Sequence, residues 1–324
     1  MLKGLALTPP VIGRIAIGRV VEKAGRRLPE KDDEFTLTSQ VQNKEGWVPH
    51  PVDAQLRKEP GTKLRSIPVR LLFDDPDLSL RANYTMFDRA TGRPLCVGDG
   101  ESCKRVTLSG MQSLPCPSPA VCALAQDGNC KPYGRLHVRV EAEGSTEAGK
   151  EGMNGDELGS FVFRTTGFNS IRTLSTRLRY LFAVSGGLLA GLPLELRLRG
   201  KSTTLSHRTP IYYVDLTLRG GSSLAQVVAL ARQERDQHAA LGLDQAALDE
   251  AARQGLALGE FEESEEEGVE VVEEFYPDSD TDRDSGAAQA PAPISLRGKL
   301  HRKQEALGMR ANATGDPGAS HAVA

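Results

Sequence analysis

All five cysteines of this chain lie between Cys96 and Cys130, and the rest of its 324 residues contain none. The same stretch carries Pro115, Pro117, Pro119, Gly128 and Pro132. These residues preclude a regular helix or a long strand across it. A loop of this kind has few large apolar side chains and cannot pack on itself, so a covalent or metal cross-link has to hold it. The N-terminal Met1-Leu2-Lys3-Gly4, followed by Pro9 and Pro10, lacks the apolar core of an export signal. That points to the reducing cytoplasm, where clustered cysteines favour a metal over disulfides. Cys103, Cys116, Cys122 and Cys130, spaced x12, x5 and x7, are the expected ligands. Four thiolates can close a tetrahedral, structural zinc site, and a zinc would supply the stability that the loop lacks. Cys96 is the substitute ligand, or a small buried hydrophobe. An iron–sulfur cluster uses the same donor set and ranks below zinc. The paired C-x2-C knuckle is absent, and free thiols are the competing reading. A catalytic metal would recruit imidazole or carboxylate, and the nearest histidine, His137, falls in an apparent strand.

Charge divides the chain. Residues 1–220 carry 31 Lys and Arg against 23 Asp and Glu, whereas residues 221–324 carry 9 against 20. A basic body with an acidic tail suits a polyanionic partner. The densest basic region is Arg172, Arg177 and Arg179, followed by Arg197, Arg199, Lys201 and Arg208. These seven are the expected nucleic-acid or partner contacts, with hydroxyls at Ser202, Thr203 and Thr204 for phosphates. Phe168, Tyr180, Tyr212 and Tyr213 are candidates for base stacking. The plainer alternative is a solvated basic face over core aromatics. No run of about 18 apolar residues exists, which argues against a membrane partner; the longest, around Tyr180–Leu198, is interrupted by three glycines, Pro193 and Glu195.

Alternation predicts strands at Ile67–Leu71, Leu136–Val140, Phe161–Arg164, Leu194–Leu198 and Ile211–Leu218, and a hairpin over Tyr84–Val97 that turns at Gly92. Ile171, Leu174, Leu178, Leu181 and Phe182 fall at helical spacing, capped by Asn169 or Ser170 and ended by Gly186-Gly187. Ser222 or Ser223 caps a second helix. The fold class is α+β: a β-rich body with a Cys-rich metal-binding loop, a few helices and a disordered acidic tail. The expected divisions are 1–240 for the body, with the Cys-rich insert at 96–132, then 241–259 for a helical extension. The tail is 260–324, where the glutamates of 260–274 repel one another and leave little to bury.

Asp74, Asp75 and Asp77 with His137 or His207 are the only carboxylate–imidazole set that suggests a metal-dependent hydrolase, and turn chemistry explains the aspartates as well. No phosphate loop, G-x-S-x-G or H-E-x-x-H is present.

The stretch Cys116-Pro117, Cys130-Lys131-Pro132-Tyr133-Gly134-Arg135-Leu136, then Gly159 to Arg172, resembles the recombination directionality factor-like family of phages and mobile elements. Gly200-Lys201-Ser202-Thr203-Thr204 and His207-Arg208-Thr209-Pro210 resemble it too, and the likeness covers roughly residues 5–235. An actinophage member of that family binds a serine integrase and switches it from integration to excision. The resemblance implies a non-enzymatic, cytoplasmic accessory protein of DNA recombination with a zinc-like Cys site, whose partners are a recombinase or integrase and DNA. It is compatible with an oligomer. A single-stranded DNA-binding or annealing factor is the second reading and a hydrolase the third.

Overall fold

The computed structural model describes residues 10–23, 26–44, 46–57, 59, 61–125, 128–141, 159–202, 204, 208–258 and 265–276. Twelve strands form one sheet. In chain order the elements are β1 (Val11–Lys23), β2 (Arg26–Asn43), β3 (Gly46–Pro49), α1 (Pro51–Arg57), β4 (Ser66–Leu71), α2 (Pro76–Ser79) and β5 (Leu80–Phe87). Then come β6 (Pro94–Gly98), β7 (Ser102–Thr107), β8 (Gly110–Pro115), β9 (Cys130–Val140), β10 (Ser160–Thr165), α3 (Phe168–Ser185), β11 (Leu194–Lys201) and β12 (Ile211–Leu218). Three helices follow: α4 (Leu224–Ala240), α5 (Gln245–Leu258) and α6 (Glu265–Phe275). The fold is α+β and β-rich, as the sequence predicts.

The sheet forks at β9. One edge of β9 pairs with β10. Its other edge is divided: Cys130–Leu136 pairs with β5, and Val138–Val140 pairs with β4. The β5 branch continues through β6, β7 and β8, and the β4 branch through β11 and β12. On the other side, β10 runs parallel to β1, which leads on to β2 and β3.

Alternation of side chains gives the sheet two faces. Ile15, Leu136, Val138, Phe161 and Phe163 point into the main core, where they meet Leu174, Leu178 and Leu181 of α3. Helix α3 packs along β12, and the Val214 N–H donates to Ser170 Oγ at 3.1 Å. Ser170 is thus committed to the neighbouring strand, and Gly167 rather than Asn169 or Ser170 is the N-cap, without a side-chain bond. The C-cap is Gly186 at φ 72, as predicted, because only glycine adopts that conformation without strain. Phe182, expected on the apolar face, is exposed instead. Ser223 caps α4 through a capping box with Gln226.

Two expectations change. The Cys-rich insert is a meander of β6, β7 and β8 rather than a loop throughout, and the proline-rich part is confined to the segment between Pro115 and Cys130. Residues 265–275, assigned to a disordered tail, form α6. Its Val271 and Val272, with the following Tyr276, bury against Phe87 and Tyr133, and arginines of the sheet face its glutamates. Burial and counter-charge outside the segment overcome a repulsion that is strong only in isolation. Residues 260–264 and 277–324, like His207, lie outside the described residues.

Leu178 is fully buried between α3 and the sheet. Leu178→Ala should cost about 2–5 kcal/mol in a urea unfolding curve followed by circular dichroism.

Candidate cysteine centre and arginine faces

Cross-strand register gathers the cysteines. Met86 of β5 stands opposite Cys130 of β9 on one side and Cys96 of β6 on the other. Cys96 in turn faces Arg105 of β7, and Gly98 faces Cys103. Residues in register project from the same face, so Cys130, Met86, Cys96, Arg105 and Cys103 share it. Cys116 follows β8 and is tied back by its N–H to the Glu101 carbonyl at 2.8 Å. A Cβ on Gly98 would stand 2.8 Å from Cys103 Cβ and 2.9 Å from Cys116 Sγ. Glycine there is what lets those two cysteines close over β6. Cys122 begins the short 3-10 turn Ala123–Ala125, its carbonyl accepting the Ala125 N–H at 3.1 Å.

All five cysteines are free thiols. Burial, then a hydrogen bond with Cys96, pushes the Cys103 thiol up to about 11. Burial, then the nearby Cys96, Cys116 and Cys122, pushes Cys130 up to about 12. The Arg105 guanidinium is raised first by its bond to Cys96 and also feels Cys103 and Cys122. The sequence-derived ligand set therefore shares one neighbourhood with Cys96. Among the described residues, no three His, Cys, Asp or Glu side chains stand as a finished metal cage. The gathered donors are thiols, a set that suits zinc or an iron–sulfur cluster alike. None of the three hydrophobic clusters takes a residue between Phe87 and Tyr133. The buried side chains of that arm are Cys96, Cys103 and Ala125, while Leu108, Val121 and Leu124 face solvent. Among the described residues of the arm, two of the five thiols are buried and three half-buried.

The seven expected basic contacts separate into two groups. Arg177 Nε and Arg199 Nε both donate to Asp215, at 3.0 and 3.1 Å, and Asp215 is only 3% exposed. These two arginines neutralise a buried carboxylate and join α3 to β11. Arg197 pairs with Glu195, and Lys201 Nζ donates to Asn169 Oδ1 at 2.7 Å. Arg172 and Arg208 are exposed, and Arg179 reaches Asp77 at 3.6 Å across a solvated gap worth little. Of the aromatics, Phe168 and Tyr180 are exposed, and Tyr212 and Tyr213 half-buried.

The aspartates are occupied structurally. Asp75 caps α2 by accepting the Asp77 N–H, and Asp74 accepts the Ala190 N–H at 2.8 Å. Asp249 of α5 accepts the N–H groups of both Asp74 and Asp75. Burial pushes the Asp74 and Asp249 carboxyls up.

A second basic feature was not evident from sequence spacing. On the face opposite the main core, Arg164 of β10, Arg135 of β9 and Arg81 of β5 lie in register across three adjacent strands. Arg14 of β1 lies beside them, in register with Val162, and stacks 4.1 Å over the ring of Trp47. Like charges placed directly opposite one another destabilise a sheet. Helix α6 supplies the opposite charge: Glu270 meets Arg14 at 3.0 Å, Glu274 meets it at 3.8 Å, and Glu267 meets Arg164 at 2.9 Å. Beside these ion pairs, Phe87 packs edge-on to Tyr133 and Tyr276, and Tyr276 Oη donates to the Thr85 carbonyl at 3.1 Å. The helix comes so close to the β5–β6 turn that a Cβ on Gly268 would stand 2.1 Å from the Gly92 carbonyl oxygen. The only signal for this in the sequence is Arg14, a charge set inside a β-branched run.

The model of the Gp3-like, recombination directionality factor-like family matches residues 12–219, and the chain belongs to that family. The match runs from β1 through β12; α4, α5 and α6 fall outside it. Comparison with curated proteins and with solved structures finds no match. None of the described helices is long and apolar enough to cross a membrane.

Burial pushes the Glu270 and Glu274 carboxyls up, with Arg14 and Arg164 pulling the other way. The docked α6 thus holds these protons more readily than a released one. The part of its grip that comes from the buried neutral carboxyls is lost as pH rises through the raised values, and the ion pairs with Arg14 and Arg164 hold the helix above them. Near-ultraviolet circular dichroism from the Phe87, Tyr133 and Tyr276 cluster, followed upward from about pH 4, should weaken in part, and Glu270→Gln with Glu274→Gln should flatten that change.

Proposed function

We propose that this chain is a non-enzymatic accessory protein of DNA recombination on a phage or integrated element. It acts in the cytoplasm by binding a recombinase, DNA or both. The family match across the whole sheet carries this reading. The engagement of Asp74, Asp75 and Asp249 in turn and helix contacts supports a binding role over the hydrolase alternative. The direct test is recombination by the cognate integrase on attachment-site substrates. Adding the protein should shift the balance from integration toward excision by at least about tenfold, roughly 1.4 kcal/mol. An unchanged balance would sink the directionality role.

Within this reading, zinc is held by Cys103, Cys116, Cys122 and Cys130, with Cys96 as the nearest substitute. It gives the β6–β8 arm the stability that its lack of apolar core denies it. The support is the convergence of thiols around Gly98. The purified protein should carry about one zinc per chain by elemental analysis, in keeping with a closed four-thiolate site. Paired Cys→Ser changes at Cys103 and Cys130 should abolish it. Raised thiols must shed protons to bind metal, so apparent zinc affinity should climb with pH across the neutral range. Metal content indifferent to those substitutions would remove the ligand assignment.

A further inference from the structure

The arginine face under α6 is built to hold anions. Three arginines stand side by side in cross-strand register and a fourth is stacked on the single Trp. That arrangement needs counter-charge to exist, and in this structure α6 provides it with Glu267, Glu270 and Glu274. The cover lies outside the family match, whereas Arg14, Arg81, Arg135 and Arg164 lie within it. We propose that this face is a nucleic-acid strand site, occupied in the resting chain by α6 as an internal substitute for the phosphate backbone.

Both sides of the contact support that occupant. The α6 carboxylates present oxygens to Arg14 and Arg164 as successive phosphates would, and arginine binds either anion through the same donor fork. Trp47 and Tyr133 place aromatic rings next to the guanidinium groups, Arg135 lying 5.4 Å over the Tyr133 ring. A basic track with interleaved aromatics is how single strands are held without sequence reading. The seat also has a release point. The Gly92–Gly268 contact tolerates no side chain, so α6 is held by a fit that one residue can undo. The inference deepens the recombination reading by naming where DNA would bind and what covers it.

The test uses the full-length protein and a short, labelled, mixed-sequence DNA single strand, with binding read by fluorescence anisotropy and no recombinase present. Gly268→Leu pushes α6 off the β5–β6 turn without changing charge; Val271→Ser with Val272→Ser removes its apolar grip as a second route. Loss of amide-exchange protection over Glu265–Phe275 reports release in each. The released variants should bind the strand at least about tenfold more tightly than the parent, or roughly 1.4 kcal/mol. Adding Arg14→Gln and Arg164→Gln should cancel the gain and make the slope of log affinity against log salt shallower by about 1.4. Release without tighter binding overturns the proposal. So does a gain that survives loss of both arginines, a gain for acidic peptide alone, or an α6 that neither route releases. Because no integrase enters the assay, these outcomes are independent of the excision test: DNA binding with unaltered excision would remove the directionality role and leave the strand site standing.

Discussion

Strand β9 is the constraint on which the remainder depends. Its two edges hold three other strands, and its two faces serve different interiors. Cys130 opens it within the thiol neighbourhood, and Tyr133 and Arg135 face α6. Gly134 lets Ile171 of α3 come close, a Cβ there standing 3.0 Å from it, while Leu136 and Val138 enter the main core. A one-residue slip would exchange these roles, placing arginine in the core and leucine under the glutamates. The Cys-Lys-Pro-Tyr-Gly-Arg-Leu segment, the strongest family resemblance in the sequence, is thus the stretch where the cysteine arm, the α3 packing and the arginine face meet.

Local signals made much of the fold legible. The apolar period of α3 from Ile171 to Leu181, the left-handed glycine at its end, the Ser223 cap and the Gly92 turn each depend on neighbours within a few residues, and the structure places them as expected. What could not be read depends on partners far along the chain. Arg177 and Arg199 look like a surface patch until Asp215 closes between them. The α6 glutamates look like a solvated run because their counter-ions, Arg14 and Arg164, lie more than a hundred residues away. The valines inside that run are too few to announce a helix, yet they fit between Phe87 and Tyr133. The candidate site divides the same way. Cysteine clustering was plain from the sequence, whereas the arginine row exists only through strand register.

The two candidate surfaces lie along one run of the sheet and meet at β5 and β9, yet they answer to different physics. The cysteine arm takes no part in the three hydrophobic clusters and buries Cys96 and Cys103, so on the zinc proposal its order would follow metal occupancy. The arginine face has a hydrophobic border and a charged centre, so its cover answers to competing anions and salt. Strand β9 takes part in both, through Cys130 at its start and Arg135 further along.

The placement of α6 also sets a scale for competition. Residues 259–264 alone separate it from α5, whose Asp249 anchors to Asp74 and Asp75 of the same body. A ligand on so short a tether meets its seat at an effective concentration of the order of millimolar. A free strand of modest intrinsic affinity would be outcompeted at cellular concentrations, and only a DNA presented locally, as in a synaptic complex already assembled on its attachment sites, would prevail. The cover would act as a threshold that separates stray nucleic acid from a pre-organised target.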